Sequence, residues 1–307
     1  MPHLVGKRFA LLLAGICMAV GCARHLPPAE RVVLTNVNAL RTEFGRGAAE
    51  AAGPAAAVAE PTGWATLKGS FKLNGSVPDR PPLTIDKDQA ICAPGGRAVL
   101  SETLVVDSAT QGIKDIVIYL ATPGKFPAGD PKWEHPSYAE KRQATLEFDQ
   151  KNCVFLTHTL AMRSTQKLKI LNSDPVGHNT KIEGTGKAAQ INATIPAGAN
   201  VMYEPGGEAQ EPFGVACSIH PWMSARMIVR DSPYFAVTKA DGSFEIPNVP
   251  AGVPLEFRVW QERAKFLQGD MKVNGNTEKW NKGRIKLTLQ PDEQKTLDVV
   301  VDVPVFK

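Results

Sequence analysis

The most informative segment of the chain is Val215-Ala216-Cys217-Ser218-Ile219-His220-Pro221-Trp222-Met223. It places a thiol, an imidazole and a thioether at three-residue intervals, on Cys217, His220 and Met223. These are soft or borderline donors, which suit copper in both of its common oxidation states. A blue-copper centre needs a thiolate, two imidazoles and a distant axial thioether. The loop therefore predicts three of the four ligands of one copper site.

The second imidazole must come from elsewhere in the chain, and His178 is the best candidate. It lies 39 residues before Cys217, in the sequence Asn172-Ser173-Asp174-Pro175-Val176-Gly177-His178-Asn179. That separation leaves room for intervening strands. Met227, four residues beyond Met223, competes for the axial position, although a role in a strand core is favoured for it.

Gly177-His178-Asn179, followed by Cys217-x-x-His220-x-x-Met223, resembles the cupredoxins, and the His-Pro-aromatic-Met loop is most similar to that of the amicyanins. The resemblance implies that His178 and His220 bind copper through ring nitrogens, Cys217 through sulfur and Met223 axially. It also implies that Asn179 ties the two ligand loops together from behind the ligands.

Two alternatives to a redox site stay open. Cys217 is a buried thiol and Met223 a core residue in the simplest one, since both residue types often have only that role. In addition, many electron-transfer cupredoxins carry an aromatic residue before the cysteine, where this chain has Ala216. That departure leaves copper storage, or another metal, as a rival to electron transfer.

Outside the ligand loops the sequence indicates an all-β protein. Residues 65–73 alternate apolar and polar positions and end at the turn dipeptide Asn74-Gly75. Many short strand-like runs follow, separated by Gly, Pro, Asn or Asp, which is typical of a sandwich or barrel. We expect a Greek-key, cupredoxin-like sandwich over residues 63–231, with a surface loop inserted at 123–142. Further runs are predicted at 103–106, 113–120, 144–148, 168–171, 179–182, 201–204, 213–216 and 226–229.

A second, smaller β-sandwich is predicted over residues 232–307. Residues 234–238 and 243–246 flank Lys239-Ala240-Asp241-Gly242, which predicts a hairpin with an Asp-Gly turn. This segment, with Val249-Pro250-Ala251-Gly252, resembles the carboxypeptidase regulatory-like, transthyretin-like domains, which implies a non-catalytic accessory module. The combined architecture resembles exported plastocyanin-like proteins that are labelled methylamine-utilisation proteins.

The N-terminus predicts export. Lys7 and Arg8 precede an apolar stretch over 9–20, and Ala19-Val20-Gly21-Cys22 resembles a bacterial lipobox. Residues 1–22 are thus predicted to be a lipoprotein signal peptide, with Cys22 lipidated; ordinary cleavage near Ala23 is the alternative. Residues 23–62, with one short helix over 30–44, are predicted to tether a periplasmic or cell-surface body to the bacterial membrane.

The remaining cysteines bear on the compartment. Of the five cysteines, Cys17 is expected to be lost with the signal peptide, and Cys92 and Cys153 are the pair left after the ligand and lipid cysteines are assigned. A disulfide between them suits an oxidising compartment, whereas two free buried thiols are the alternative.

Composition excludes some classes of function. The 307 residues carry a net charge of only +4, without a basic run, so nucleic-acid binding is not expected. No nucleophile elbow or paired-carboxylate motif stands out, so we do not expect an enzyme. The sequence predicts a type 1 copper protein that transfers electrons to an unidentified redox partner. The alternative is non-redox copper handling, or a scaffold whose C-terminal domain engages a partner or glycan.

Overall fold

The computed structural model describes residues 59–121 and 129–307, together with 39, 40 and 42, which are helical. The predicted signal peptide, Cys22, most of the predicted tether with its predicted helix, and residues 122–128 lie outside the described part. The chain divides into two compact units, Met1–Val58 and Ala59–Lys307, and every strand that the structure describes belongs to the second unit. Among the described residues, no helix has the length and apolar character needed to cross a membrane.

The predicted all-β class is confirmed. Helical structure in the described part of the second unit is limited to the short helix Gln89–Cys92 and the 3-10 turns Pro94–Gly96, Pro136–Tyr138 and Val303–Phe306. The strands in chain order are β1 Gly63–Asn74, β2 Val117–Leu120, β3 Thr145–Lys151, β4 Val154–Phe155, β5 Thr159–Arg163, β6 Lys167–Asn172, β7 His178–Ile182, β8 Ile191–Ile195, β9 Asn200–Tyr203, β10 Phe213–Ala216, β11 Ser224–Arg230, β12 Phe235–Val237, β13 Ser243–Ala251, β14 Pro254–Gln261, β15 Lys265–Phe266, β16 Gly269–Val273, β17 Asn276–Trp280, β18 Arg284–Thr288 and β19 Gln294–Asp302.

The strands form two sandwiches, and one is inserted into the other along the chain. Strands β3 to β11 form the central sandwich, from the sheets β5-β11-β10-β7-β8 and β4-β3-β6-β9. Strands β1, β2 and β12 to β19 form the terminal sandwich, from β13-β1-β19-β16-β17 and β12-β2-β14-β15, with β18 on β14. Along the chain, β1 and β2 lie in the terminal sandwich, β3 to β11 lie in the central one, and β12 to β19 lie in the terminal one again. Each sandwich encloses its own hydrophobic core.

The alternation that predicts β1 is present, because one face of that strand lines the core of the terminal sandwich. Leu67, Phe71 and Leu73 are buried, whereas Lys68 and Lys72 are exposed. The strand pairs antiparallel with β13 and parallel with β19. A β-carbon on Gly69 would come within 2.0 Å of the Leu297 carbonyl oxygen, so only glycine allows β19 this close.

This pairing differs from the division after residue 231 that the sequence predicts. Strands β1 and β2 lie in the range assigned to the copper domain, yet each pairs only with strands of the terminal sandwich. β1 lies between β13 and β19, and β2 lies between β12 and β14. Local alternation indicates that a segment is a strand, but the partner is chosen by packing with residues far along the chain.

The predicted Asp-Gly turn is present, but the hairpin prediction is wrong. Gly242 has φ of 80°, and the Lys239 amide donates to the Ser243 carbonyl oxygen over 2.9 Å. The strands on either side of this turn nevertheless belong to opposite sheets, because β12 pairs with β2 while β13 pairs with β1. At this turn the chain therefore crosses from one sheet of the terminal sandwich to the other, whereas the two strands of a hairpin pair with each other in one sheet.

Residues 129–142 contain no strand, as predicted, but they are not a simple surface loop. Glu134 is 3% exposed, and its carboxylate accepts from both terminal nitrogens of Arg163 over 2.8 Å. Arg142 and the amide of Gly129 donate to the same carboxylate. Since Arg163 belongs to β5, this buried ion pair attaches the segment to the central sandwich.

We expect Glu134→Gln to lower the free energy of unfolding by about 3–5 kcal/mol, because it leaves the buried Arg163 guanidinium without its counter-charge. Urea denaturation measures the loss, and exposed Glu140→Gln in the same segment is the matched control. Burial raises the pKa of Glu134, but the hydrogen bonds from Arg163 and Gly129 outweigh burial and hold the pKa below its usual value. This contribution to stability is therefore present above the unfolded-state pKa and is lost as the pH falls through the folded-state pKa. Equal stability of the two variants would contradict the assignment.

Candidate metal centre

The ligand candidates are brought together by three adjacent strands of the central sandwich. Cys217 directly follows β10, and Met223 directly precedes β11, its antiparallel partner. His178 is the first residue of β7, which pairs with β10 on its other side. Hydrogen bonding of neighbouring strands thus places an imidazole from a distant stretch beside the Cys217–Met223 loop.

His178, Cys217 and His220 converge in the folded chain. One nitrogen of each histidine and the Cys217 sulfur all lie within 4.8 Å of one another. The two Nδ1 atoms are 2.8 Å apart. Both histidines have no exposed surface, and Cys217 is 2% exposed. Three of the four predicted ligands therefore form one buried cluster.

A carboxylate holds the far side of each imidazole. His178 Nε2 lies 2.8 Å from Asp174 Oδ2, and His220 Nε2 lies 2.8 Å from Asp88 Oδ2. Because a carboxylate oxygen accepts hydrogen bonds, each imidazole donates from Nε2, and Nδ1 is the ring nitrogen left to bind a metal ion or, without metal, to carry a proton. Carboxylates in this position fix the orientation of metal-binding histidines and raise their basicity.

At 2.8 Å, one Nδ1 can donate a hydrogen bond to the other when no metal is bound. A metal ion would instead accept both nitrogen lone pairs together with the thiolate. A donor set of two imidazoles and a thiolate suits copper and is also found around zinc. The residues present therefore fit the metal that the sequence predicts.

The environment of Cys217 favours its metal-binding form. Its sulfur accepts from the amides of Asn179 and His220, each over 3.4 Å. Burial raises the pKa of this thiol, but hydrogen bonds from His178 and from those amides outweigh burial and hold the pKa below its usual value. Burial lowers the pKa of His178, and its hydrogen bonds to Cys217 and Asp174 outweigh that effect, so the net shift is upward. Thiolate, the form that binds metal, is stabilised.

Asn179 connects the two ligand loops, which is the position that the cupredoxin resemblance implies. Its side-chain oxygen accepts a hydrogen bond from the Ser218 amide, and its side-chain nitrogen donates to Asn192. The residue after one candidate ligand is thus bonded to the residue after another. This bond fixes the separation of the two loops.

Met223 is 1% exposed, and its amide donates to the His220 carbonyl oxygen over 3.0 Å while its carbonyl accepts from Cys217. These bonds close the loop into a tight turn. The axial role of the Met223 thioether stays a prediction. Met227 lies on β11 opposite Phe213 and is fully buried in the core, the role that the sequence favours for it.

The predicted disulfide between Cys92 and Cys153 is present, and it lies against the cluster. Asp174 accepts from the Cys153 amide over 2.8 Å, and Trp222 Nε1 donates to the Cys153 carbonyl over 3.0 Å. The Trp222 ring centroid is 5.1 Å from that of His220. Of the cysteines that the structure describes, Cys217 alone is unpaired.

Sequence reasoning missed both carboxylates. Asp174 lies four residues before His178 in Asn172-Ser173-Asp174-Pro175, a turn-forming stretch that gives a weak local signal. Asp88 is 132 residues from His220, and nothing in its neighbourhood indicates the contact. Only the fold brings it to the ligand loop.

Comparison with known proteins adds little to this description. No family model and no curated protein matches the chain. Among solved structures, a Cu-containing nitrite reductase from Thermus scotoductus SA-01 is 13% identical over 29% of this chain and 23% of that chain, with a TM-score of 0.27. Amicyanin from Paracoccus versutus is 14% identical over 37% of this chain and 97% of that one, with a TM-score of 0.25. The chain thus spans less than a quarter of the nitrite reductase, and TM-scores this low carry no argument about function.

Proposed function

We propose that this protein binds one copper ion through His178, Cys217 and His220, with Met223 as the axial ligand, and transfers electrons. The observation that carries the proposal is the convergence of two imidazole nitrogens and a thiol within 4.8 Å in a buried pocket. The donor types are those of a blue-copper centre, and their spacing along the chain resembles that of the cupredoxins.

Copper supplies a one-electron couple between Cu(I) and Cu(II). The protein supplies a site that holds its ligands in place in both states. Asp88 and Asp174 orient the imidazoles, Asn179 holds the loops together and burial excludes water. A site that is fixed from several sides changes little when the metal changes charge.

One observation favours the second candidate, copper retention without electron transfer. His220, next to Trp222, is the natural exit for an electron, yet it has no exposed surface. Asp88 covers its Nε2. A closed site of this kind suits a protein that keeps or hands over copper. The two candidates predict the same ligands and differ in redox behaviour.

Copper titration of the purified metal-free protein tests the proposal. We expect binding of one equivalent of Cu(II), an intense visible band from sulfur-to-copper charge transfer and full loss of the band on reduction. A protein that takes up zinc but gives no such band with copper would contradict the type 1 site. Reversible voltammetry of the loaded protein then supports electron transfer, whereas tight binding with no reversible couple supports retention.

We also propose export and anchoring through Cys22. The Cys92–Cys153 disulfide supports an oxidising compartment such as the periplasm or the cell surface. A lipid-anchored copper protein of this kind would meet its redox partner at the membrane. Mass spectrometry of the mature N-terminus from a bacterial host tests whether Cys22 carries lipid.

A further inference from the structure

His220 is covered by a loop that leaves the terminal sandwich and packs against the core of the central one. Residues 83–99, here called the covering loop, lie between β1 and β2 of the terminal sandwich. The Leu83 amide donates to the Val99 carbonyl over 2.7 Å, so the two ends of the loop meet. The covering loop is thus closed at its base, and it contains the short helix Gln89–Cys92.

Three contacts attach the covering loop to the metal cluster. Asp88 reaches His220 Nε2 over 2.8 Å, and Lys87 Nζ donates to the Ile219 carbonyl over 3.3 Å. Cys92, four residues beyond Asp88, is joined to Cys153. The attachment is therefore covalent as well as polar, and it centres on the residues around His220.

The backbone of Asp88 is itself adapted to this position. Its φ of 47° and ψ of 37° are left-handed, a conformation that aspartate, asparagine and glycine adopt more readily than other residues. Its side chain is 40% exposed, whereas the His220 ring that it contacts is fully buried. A carboxylate acceptor is thus held against a buried imidazole at a point where most residue types would be strained.

From these contacts we propose that Asp88 is a positioning residue for the metal site, and that the disulfide exists to hold it there. Asp88 fixes His220 with its Nδ1 facing His178, on the side where a metal would bind, and the covering loop shields the ring from water and competing ligands. The proposal rests on the proposed copper site and deepens it, because it assigns the retention of the metal to a loop that connects β1 and β2 of the terminal sandwich.

Two substitutions of Asp88 distinguish the effect of its hydrogen bond on copper binding from the effect of its charge. Asp88→Gly removes the side chain while keeping a residue suited to the left-handed backbone, and Asp88→Asn keeps an acceptor without the charge. We expect Asp88→Gly to weaken copper binding by about 10–100-fold and to speed copper loss to a chelator, since residues behind a metal ligand have effects of this size. Asp88→Asn should lie between Asp88→Gly and the wild type.

The matched control is Asp86→Asn, an exposed carboxylate in the same loop, which should bind copper as the wild type does. The measurements are competition with a Cu(I) chelator, the rate of copper loss and the optical spectrum of the loaded protein. Wild-type affinity and off-rate in Asp88→Gly would overturn the proposal. So would an equal loss in Asp86→Asn, since it would indicate an effect of net charge alone.

A readout without copper distinguishes failure of this inference from failure of the copper assignment. In the metal-free protein we expect a protected His220 Nε2–H signal by NMR in the wild type and Asp86→Asn, and its loss in Asp88→Gly. If wild type binds no copper but shows this signal, the copper site fails while the Asp88 contact stands. If the signal is absent from the wild type, the positioning role is overturned whatever the metal.

The role of the disulfide is tested by combining variants. The double variant Cys92→Ser/Cys153→Ser should lose copper faster than the wild type, because the covering loop is no longer anchored. If the disulfide acts through Asp88, adding Asp88→Gly to this variant causes little further loss, since the two changes remove one interaction. Fully additive losses would contradict the coupling, and circular dichroism establishes that each variant is folded.

Discussion

Serine in place of Cys217 is expected to abolish the visible absorption of the copper-loaded protein. The band requires charge transfer from a thiolate to copper, and a serine hydroxyl is not ionised at neutral pH. Cys217 is buried and its sulfur accepts two backbone amides at 3.4 Å, and the smaller serine hydroxyl fits the same space and is also a hydrogen-bond acceptor. The variant should therefore fold as the wild type does and lose the spectrum specifically.

The neighbouring residue provides the control. Ser218 is exposed and contributes its amide, not its side chain, to the bond with Asn179. Ser218→Ala should keep both the band and the affinity for copper. A Cys217→Ser protein that retains the band, or that binds copper as tightly as the wild type, would show that the thiol is not a ligand. The cluster would then be a buried polar contact without a metal.

The second large effect concerns the fold. A fragment of residues 232–307 is expected to be unfolded, although the sequence predicts it to be a separate domain. β1 is the middle partner of β13 and β19, and β2 is the middle partner of β12 and β14. Without them each sheet is split, and apolar residues such as Phe244 and Phe257 lose the face that buries them. Circular dichroism and amide dispersion in NMR spectra measure the outcome.

The fragment 59–307 is the control, and it should give the spectrum of a folded β protein. A well-dispersed, cooperatively melting fragment of 232–307 would contradict the insertion of one sandwich into the other. It would support instead the boundary after residue 231. This test distinguishes the inserted sandwich from two consecutive domains, because the two topologies share nearly all strand positions and differ only in which strands pair.

The sequence predictions are accurate for features that depend on neighbouring residues, and less accurate for features that depend on residues far along the chain. β10 has the bounds predicted for it, and β6, β7 and β9 lie within a residue or two of their predictions. These elements depend on local alternation and turns. The predicted run at 103–106 contains no strand. Conversely, β8, β16 and β17 are strands that were not predicted. Their alternation of apolar and polar residues is weak, since β-propensity depends on the neighbours that a strand packs against.

The all-β class, the candidate cysteine pair and a short loop with three metal-binding side chains can be read from the sequence, since each depends on adjacent or regularly spaced residues. The tertiary structure was needed to assign β1 and β2 to the C-terminal strands, and to place Asp88 and Asp174 behind the two imidazoles. Strand partners are chosen by burial and hydrogen bonding between segments far apart in the chain, and so is the contact of Asp88 with His220. Such contacts leave little or no pattern in the neighbouring residues.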